Sequence, residues 1–119
     1  MTLPALPSEF LAVPVSALEL RLEHEAVPAE QVVAGSPTTG YRVLGEIGGA
    51  ELGVWEMTAG ATRDVEVDEV FVVLAGSATV AFDDGRAPLE LAPGTVARLA
   101  EGDATVWTVR ETLRKLVLS

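Results

Sequence analysis

The chain of 119 residues contains no cysteine and a single histidine, His24. The absence of cysteine excludes disulfide bonds, thiolate catalysis, iron–sulfur clusters and zinc sites built on cysteine. Because there is only one histidine, any site that requires two imidazole groups is excluded as well. These two absences remove more classes of function than the overall composition does.

Long hydrophobic runs and clusters of basic residues are also missing. The longest nearly apolar stretch, Val70 to Phe82, has 13 residues, whereas a membrane-spanning helix needs about 20. The first basic residue is Arg21, and prolines interrupt the apolar positions before it, so no secretory signal is recognisable. Eighteen acidic and eight basic residues give a net charge of −10, which argues against nucleic acid or an anionic membrane as a partner. We therefore expect a cytoplasmic protein.

Short strand-like segments and turns fill the sequence from Tyr41 onward. These segments are rich in valine, leucine, threonine and aromatic residues, and they span residues 51–58, 65–75, 78–82, 89–91, 95–99, 104–109 and 113–118. Turn residues separate them, as at Ala59-Gly60, Gly76-Ser77 and Pro93-Gly94. Strands that recur roughly every 8–12 residues are typical of a sandwich or barrel, so the fold class is predicted to be all-β.

The first forty residues differ from the rest because prolines interrupt them. Residues 17–25 alternate between leucine and charged residues, which predicts a half-buried strand. Residues 27–40 are rich in proline, glycine, serine and threonine, which predicts a loop. We expect residues 1–31 to form an N-terminal extension, with one or two extra strands, that packs on a domain of residues 32–119.

An ordered set of motifs resembles the cupin superfamily. The set comprises Gly53-Val-Trp-Glu-Met-Thr-Ala-Gly60, Asp68-Glu69, Gly76, Pro93-Gly94, Glu101-Gly102 and Trp107. The sequence is similar to the small single-domain cupins, such as the cupin domains of ureidoglycine aminohydrolase and of an ethanolamine-utilisation protein. The resemblance covers about residues 32–118 and implies a double-stranded β-helix, that is, a jelly-roll barrel, with a small-molecule site in its mouth. It also implies a homodimer, because cupins commonly pair through such sheets.

The metal ligands that are usual in cupins are mostly absent. The first motif normally carries two histidines before the glutamate, separated from it by three or four residues. With three residues between, these positions hold Arg63 and Val65; with four, they hold Thr62 and Asp64. The histidine of the second motif falls on Thr105, so only Glu69 remains of the usual four ligands. One carboxylate does not hold a transition metal. We therefore expect no metal and no other cofactor.

Alternation along residues 63–73 places the odd-numbered residues on one face of a strand. If that strand is unbroken, Glu69 points into the barrel, and Arg63 has the parity to pair with it. Arg63 would then supply the positive charge that a metal supplies in other cupins. Asp64, Glu66 and Asp68 share the other face, which is more typical of a solvent-facing strand edge than of a cation site.

Aromatic residues and one hydroxyl complete the candidate site. Thr105 and Trp107 share a parity and are expected to face the same lumen. The candidate ligand-binding residues are Tyr41, Trp55, Arg63, Glu69, Phe71, Thr105 and Trp107. The opposite face of the same strand as Glu69 is also apolar, which suggests that a partner subunit covers it; its residues are Val70, Val72 and Leu74.

Three functions fit these residues. The favoured one is binding of a small organic ligand in the barrel mouth without a metal. The second is a metal-independent isomerase or epimerase in which Glu69 is the general base and Tyr41 or Arg63 assists. The third is a structural or interaction subunit whose lumen is packed with aromatic side chains, namely Trp55, Phe71, Phe82 and Trp107. A pocket that contains Glu69 and opens to solvent favours the first two functions.

Overall fold

The computed structural model describes residues 14–119, and strands dominate this part of the chain. The strands are β1 (Glu25–Ala26), β2 (Val32–Ala34), β3 (Thr38–Ile47), β4 (Ala50–Met57), β5 (Gly60–Val65), β6 (Glu69–Phe82), β7 (Leu89–Leu91), β8 (Val96–Leu99) and β9 (Ala104–Leu118). A short 3-10 turn, Ala29–Gln31, precedes β2. Within the described residues, no helix is long and apolar enough to cross a membrane.

The strands form one curled antiparallel sheet with two long strands at its centre. β6 and β9 pair along most of their length, from Val70 opposite Leu118 to Phe82 opposite Thr105. The first half of β9 also pairs with β5 and its second half with β4, while β6 pairs with β7 and β8. β3 pairs with β4 on one side and with β1 on the other, and β2 pairs with β5. The predicted all-β barrel is confirmed.

Bulges in the central strands replace two of the breaks that the sequence predicts, at residues 76–77 in β6 and at residues 110–112 in β9. The turn expected at Gly76-Ser77 is wrong, because β6 continues through it with shifts of register between Val73 and Ala78. Gly76 has a φ of 94°, and a Cβ atom there would collide with the carbonyl of Thr112 on β9. Glycine thus permits the close approach of β9 at this irregularity, and both strands continue through it.

The N-terminal prediction needs two corrections. Residues 17–19 form a turn and β1 is only two residues long, so most of the strand expected at 17–25 is absent. Instead, the Arg114 guanidinium donates hydrogen bonds to the carbonyls of Ala17 (2.9 Å) and Leu20 (2.6 Å), which ties this segment to the barrel through a side chain. β2 and the start of β3 lie within the loop expected at 27–40. Residues 1–13 of the expected extension lie outside the described residues, and the boundary at residue 32 stays a prediction.

A hydrophobic core fills the barrel below its mouth. It consists of Met57, Phe71, Val73, Ala78, Val80, Leu91, Leu99, Trp107, Val109, Leu113 and Val117. Each large side chain that is fully buried stabilises the fold by about 1.5–3 kcal/mol. Thr105 and Trp107 are both buried on the inner face of β9, which confirms their predicted parity.

Candidate functional site

A pocket of about 400 Å³ lies at the mouth of the barrel, above the core. β3, β4, β5, β6 and β9 contribute its walls, together with the turn that connects β5 to β6. Its polar and aromatic lining consists of Tyr41, Glu51, Trp55, Thr62, Asp64, Glu66, Glu69, Trp107 and Lys115. We call this cavity the barrel-mouth pocket.

The inner wall of the pocket holds a buried ion pair. Lys115 lies on the inward face of β9, opposite Trp55 of β4 and Val73 of β6. Its Nζ atom donates a hydrogen bond to Oε1 of Glu69 over 2.9 Å. The two side chains are only 6% and 10% exposed. The retained carboxylate of the first motif therefore has a cationic partner inside the barrel.

Three aromatic rings surround the Lys115 ammonium group. Its Nζ atom lies 4.7 Å from the ring centroid of Trp55, 4.4 Å from that of Phe71 and 4.6 Å from that of Trp107. A cation over an aromatic face is attracted by the ring quadrupole, and more strongly when water is excluded. Burial lowers the pKa of Lys115, although the nearby Glu69 opposes that shift. We call the three rings the aromatic cage.

Glu66 is the second buried carboxylate at the pocket. β5 ends at Val65 and β6 begins at Glu69, so residues 66–68 turn and reverse the side-chain alternation. Glu66 consequently points inward, where its Oε2 atom accepts hydrogen bonds from Thr105 Oγ1 (2.5 Å) and Trp107 Nε1 (2.8 Å). The predicted solvent-facing position of Glu66 is therefore wrong, whereas Asp68 is exposed.

The expected pair between Arg63 and Glu69 does not form, because the turn after β5 breaks the alternation on which it depended. Arg63 is exposed and lines a separate outer groove of about 500 Å³ beside Phe82. Phe82 is half-buried and packs against the hydrophobic core, with the Arg86 guanidinium 4.1 Å from its ring centroid. Lys115 occupies the place beside Glu69 that was predicted for Arg63.

The rim of the barrel-mouth pocket carries a phenol and two further carboxylates. The Tyr41 hydroxyl donates a hydrogen bond of 2.7 Å to Oε2 of Glu51, and burial together with Glu51 raises the pKa of Tyr41. A side chain at Gly53 would collide with the Tyr41 ring, so this glycine lets the phenol lie across β4. Burial, with the neighbouring Glu66 charge, raises the pKa of Asp64. Carboxylates thus outnumber ammonium groups in the lining.

Of the seven ligand-binding residues predicted from the sequence, the pocket brings together Tyr41, Trp55, Glu69 and Trp107. Phe71 contacts Lys115 as part of the aromatic cage, and Thr105 donates a hydrogen bond to Glu66. Lys115 and Glu66 also line the pocket and were not among the predicted residues. Lys115 is the only lysine in the chain, and it lies on the same face of its strand as the core residues Leu113 and Val117. This alternation in the sequence indicates that Lys115 points into the barrel.

A jelly-roll barrel with a pocket at its mouth is the architecture of a cupin. The model of the EutQ-like cupin domain family matches residues 44–116. The chain therefore belongs to this family. A search of the curated proteins gave no match.

Solved structures share the fold at low sequence identity. A protein of unknown function from Pseudomonas syringae pv. tomato has a TM-score of 0.73 and 18% identity, over 85% of this chain and 45% of that chain. EutQ from Clostridium difficile gives 0.59 and 17%, over 69% and 61%. A cupin superfamily protein from Desulfitobacterium hafniense gives 0.56 and 13%, over 68% and 75%. This chain thus spans less than half of the first of these proteins, and the similarities establish the fold alone.

The residues at the usual cupin metal position do not fit a divalent transition metal. Within residues 14–119, no group of three or more histidine, cysteine, aspartate or glutamate side chains is arranged to hold a metal ion. His24 lies elsewhere, with its ring nitrogens 2.8 Å from Thr38 Oγ1 and 2.7 Å from Glu56 Oε1. The carboxylate of Glu69 is already bonded to an ammonium group, so a metal would have to displace a tethered cation.

Proposed function

We propose that this cupin binds a small polar organic molecule in the barrel-mouth pocket without a metal. The observation that carries the proposal is the ion pair of Lys115 and Glu69, which is buried in the wall of a cavity of about 400 Å³. A pocket of this size, with aromatic walls and a few convergent polar groups, is the usual form of a small-molecule site. A lumen packed shut would leave no such cavity.

The charges in the lining favour a neutral or cationic ligand. Glu51, Asp64, Glu66 and Glu69 line the pocket, and Lys115 is its one ammonium group among the described residues. An anionic molecule would meet an excess of like charge in this pocket, which is costly. A molecule with hydroxyl or amino groups finds acceptors on the carboxylates and an aromatic surface on Trp55.

A calorimetric titration with sets of neutral, cationic and anionic small molecules tests the proposal, and Trp55→Leu is the decisive variant. We expect Trp55→Leu to weaken the best neutral or cationic ligand about tenfold, since it removes aromatic contact in the pocket. Phe82→Leu is the matched control, because Phe82 is also half-buried but lines the outer groove. Unchanged affinity in Trp55→Leu, with loss of affinity in Phe82→Leu, would place the ligand in the outer groove and refute the proposal.

The second candidate function is metal-independent acid–base catalysis, and the contact between Lys115 and Glu69 favours it. A carboxylate and an amine 2.9 Å apart can exchange a proton and so serve as base and acid beside a bound substrate. Turnover that disappears in Glu69→Gln while ligand affinity persists would support this function. The homodimer and the cytoplasmic location remain predictions from the sequence.

A further inference from the structure

The single lysine of the chain occupies an unusual place. Lysine is among the residues that are almost never fully buried, because its ammonium group is strongly hydrated. The other seven basic residues of this chain are all arginines, whereas Lys115 is 5% exposed inside the barrel. The one lysine of the chain therefore lies in the wall of a pocket.

A structural reason for an amine at this position is weak. A buried ion pair adds little stability compared with well-packed apolar residues of similar volume. An arginine would supply a permanent positive charge and more donors to Glu69, but it cannot lose its proton in a protein. What lysine offers instead is a primary amine that becomes a nucleophile when it is uncharged, and burial of Lys115 favours that form, although Glu69 and the aromatic rings favour the cation.

We propose that Lys115 is a nucleophile that forms a reversible imine with a small aldehyde or ketone bound in the barrel-mouth pocket. This inference rests on the proposed function and adds to it the chemical class of the ligand, an uncharged carbonyl compound. It is supported by the contact of Lys115 with the pocket, by its burial, and by the carboxylate of Glu69 at 2.9 Å from Nζ.

The step balances with the groups present. The ammonium group passes one proton to Glu69, and the neutral Nζ attacks the carbonyl carbon, so that a C–N bond forms and the C=O π electrons move to oxygen. A second proton moves from nitrogen to that oxygen and gives the carbinolamine. Glu69 then returns its proton to the hydroxyl group, the C–O bond breaks, and water leaves. The products are a protonated imine and one water, and no oxidant or reductant takes part.

Reductive trapping with glycolaldehyde and cyanoborohydride tests the inference. Cyanoborohydride reduces the imine to a stable secondary amine, and mass spectrometry of the peptide that contains residue 115 detects the adduct. The variant Arg98→Lys supplies an internal reference, because Arg98 is well exposed and makes only a loose contact of 3.8 Å with Asp68. Both lysines then compete for the same aldehyde within one folded molecule.

We expect the initial rate of trapping at Lys115 to exceed that at position 98 by about tenfold or more, because a binding pocket raises the local concentration of the carbonyl compound. Preferential trapping at position 98 would overturn the inference, since it would show that Lys115 is a shielded structural cation. A neutral ligand that binds with equal affinity to the wild type and to Lys115→Arg, with no adduct at Lys115, would also overturn it. That last result would leave the proposed binding function standing.

Discussion

Replacement of Lys115 by methionine tests how much the fold depends on the buried pair. The substitution keeps a long, unbranched apolar side chain in the aromatic cage, where a thioether also packs well against rings. It removes the partner of Glu69, whose side chain is only 10% exposed and has little access to water. The main energetic consequence is therefore an unpaired carboxylate in the barrel.

The expected loss is large for a domain of this size. Breaking a buried ion pair by removal of one partner costs about 3–5 kcal/mol, against a total stability of about 5–15 kcal/mol for a typical domain. The double variant Lys115→Met/Glu69→Leu removes both charges and keeps similar volumes. We expect it to recover most of the loss, because replacing both partners with apolar groups is close to neutral.

Urea denaturation followed by tryptophan fluorescence measures these differences, since Trp55 and Trp107 both contact Lys115. The m-value must stay constant across the variants, so that a shift of the midpoint reports stability. A double variant that is no more stable than Lys115→Met would refute the reasoning, because the loss would then come from packing in the cage. A single variant as stable as the wild type would refute it as well.

Two further predictions concern carboxylates outside that pair. Glu66→Gln should lower the free energy of unfolding by about 1–2 kcal/mol, because the charge-assisted hydrogen bonds from Thr105 and Trp107 become neutral ones; unchanged stability in urea would contradict this. Burial tends to raise the pKa of Glu56, but hydrogen bonds from Arg114 and then His24 outweigh it and lower that pKa below 4.5. Glu56 thus stabilises the fold above pH 4.5, and this contribution is lost as the pH falls through its folded-state pKa. Glu56→Gln should flatten that acid loss in denaturation curves, and an unchanged pH profile would refute the assignment.

The fold could be predicted from the sequence because local signals and global topology agree in most of the barrel. Turn residues such as Pro93-Gly94 and strands such as Leu89–Leu91 lie where alternation and turn chemistry placed them. The sequence failed where tertiary contacts override local preference. Gly76 has the character of a turn residue but lies inside a continuous strand. Glycine is needed there because the neighbouring strand β9 approaches too closely for any side chain.

The candidate site was only partly predictable, and the reason is one short turn. Residues 66–68 shift the alternation by one position, so Glu66 points inward and Arg63 points outward. Sequence periodicity assigns a face only while a strand remains unbroken. Alternation could have predicted the inward position of Lys115, since its strand is continuous from Ala104 to Leu118 and both Leu113 and Val117 are buried.

The charged groups inside the barrel support the proposal that the barrel-mouth pocket is a binding site. A barrel that served only as a scaffold would gain most from apolar replacements, because buried charges are at best neutral to folding. This chain instead keeps Glu69, places its only lysine against that carboxylate, and buries Glu66 beside it with two donors. Each group has a hydrogen-bond partner, so the cluster is held in one arrangement next to an open cavity. Preorganised polar groups of this kind are what a binding or reacting molecule requires.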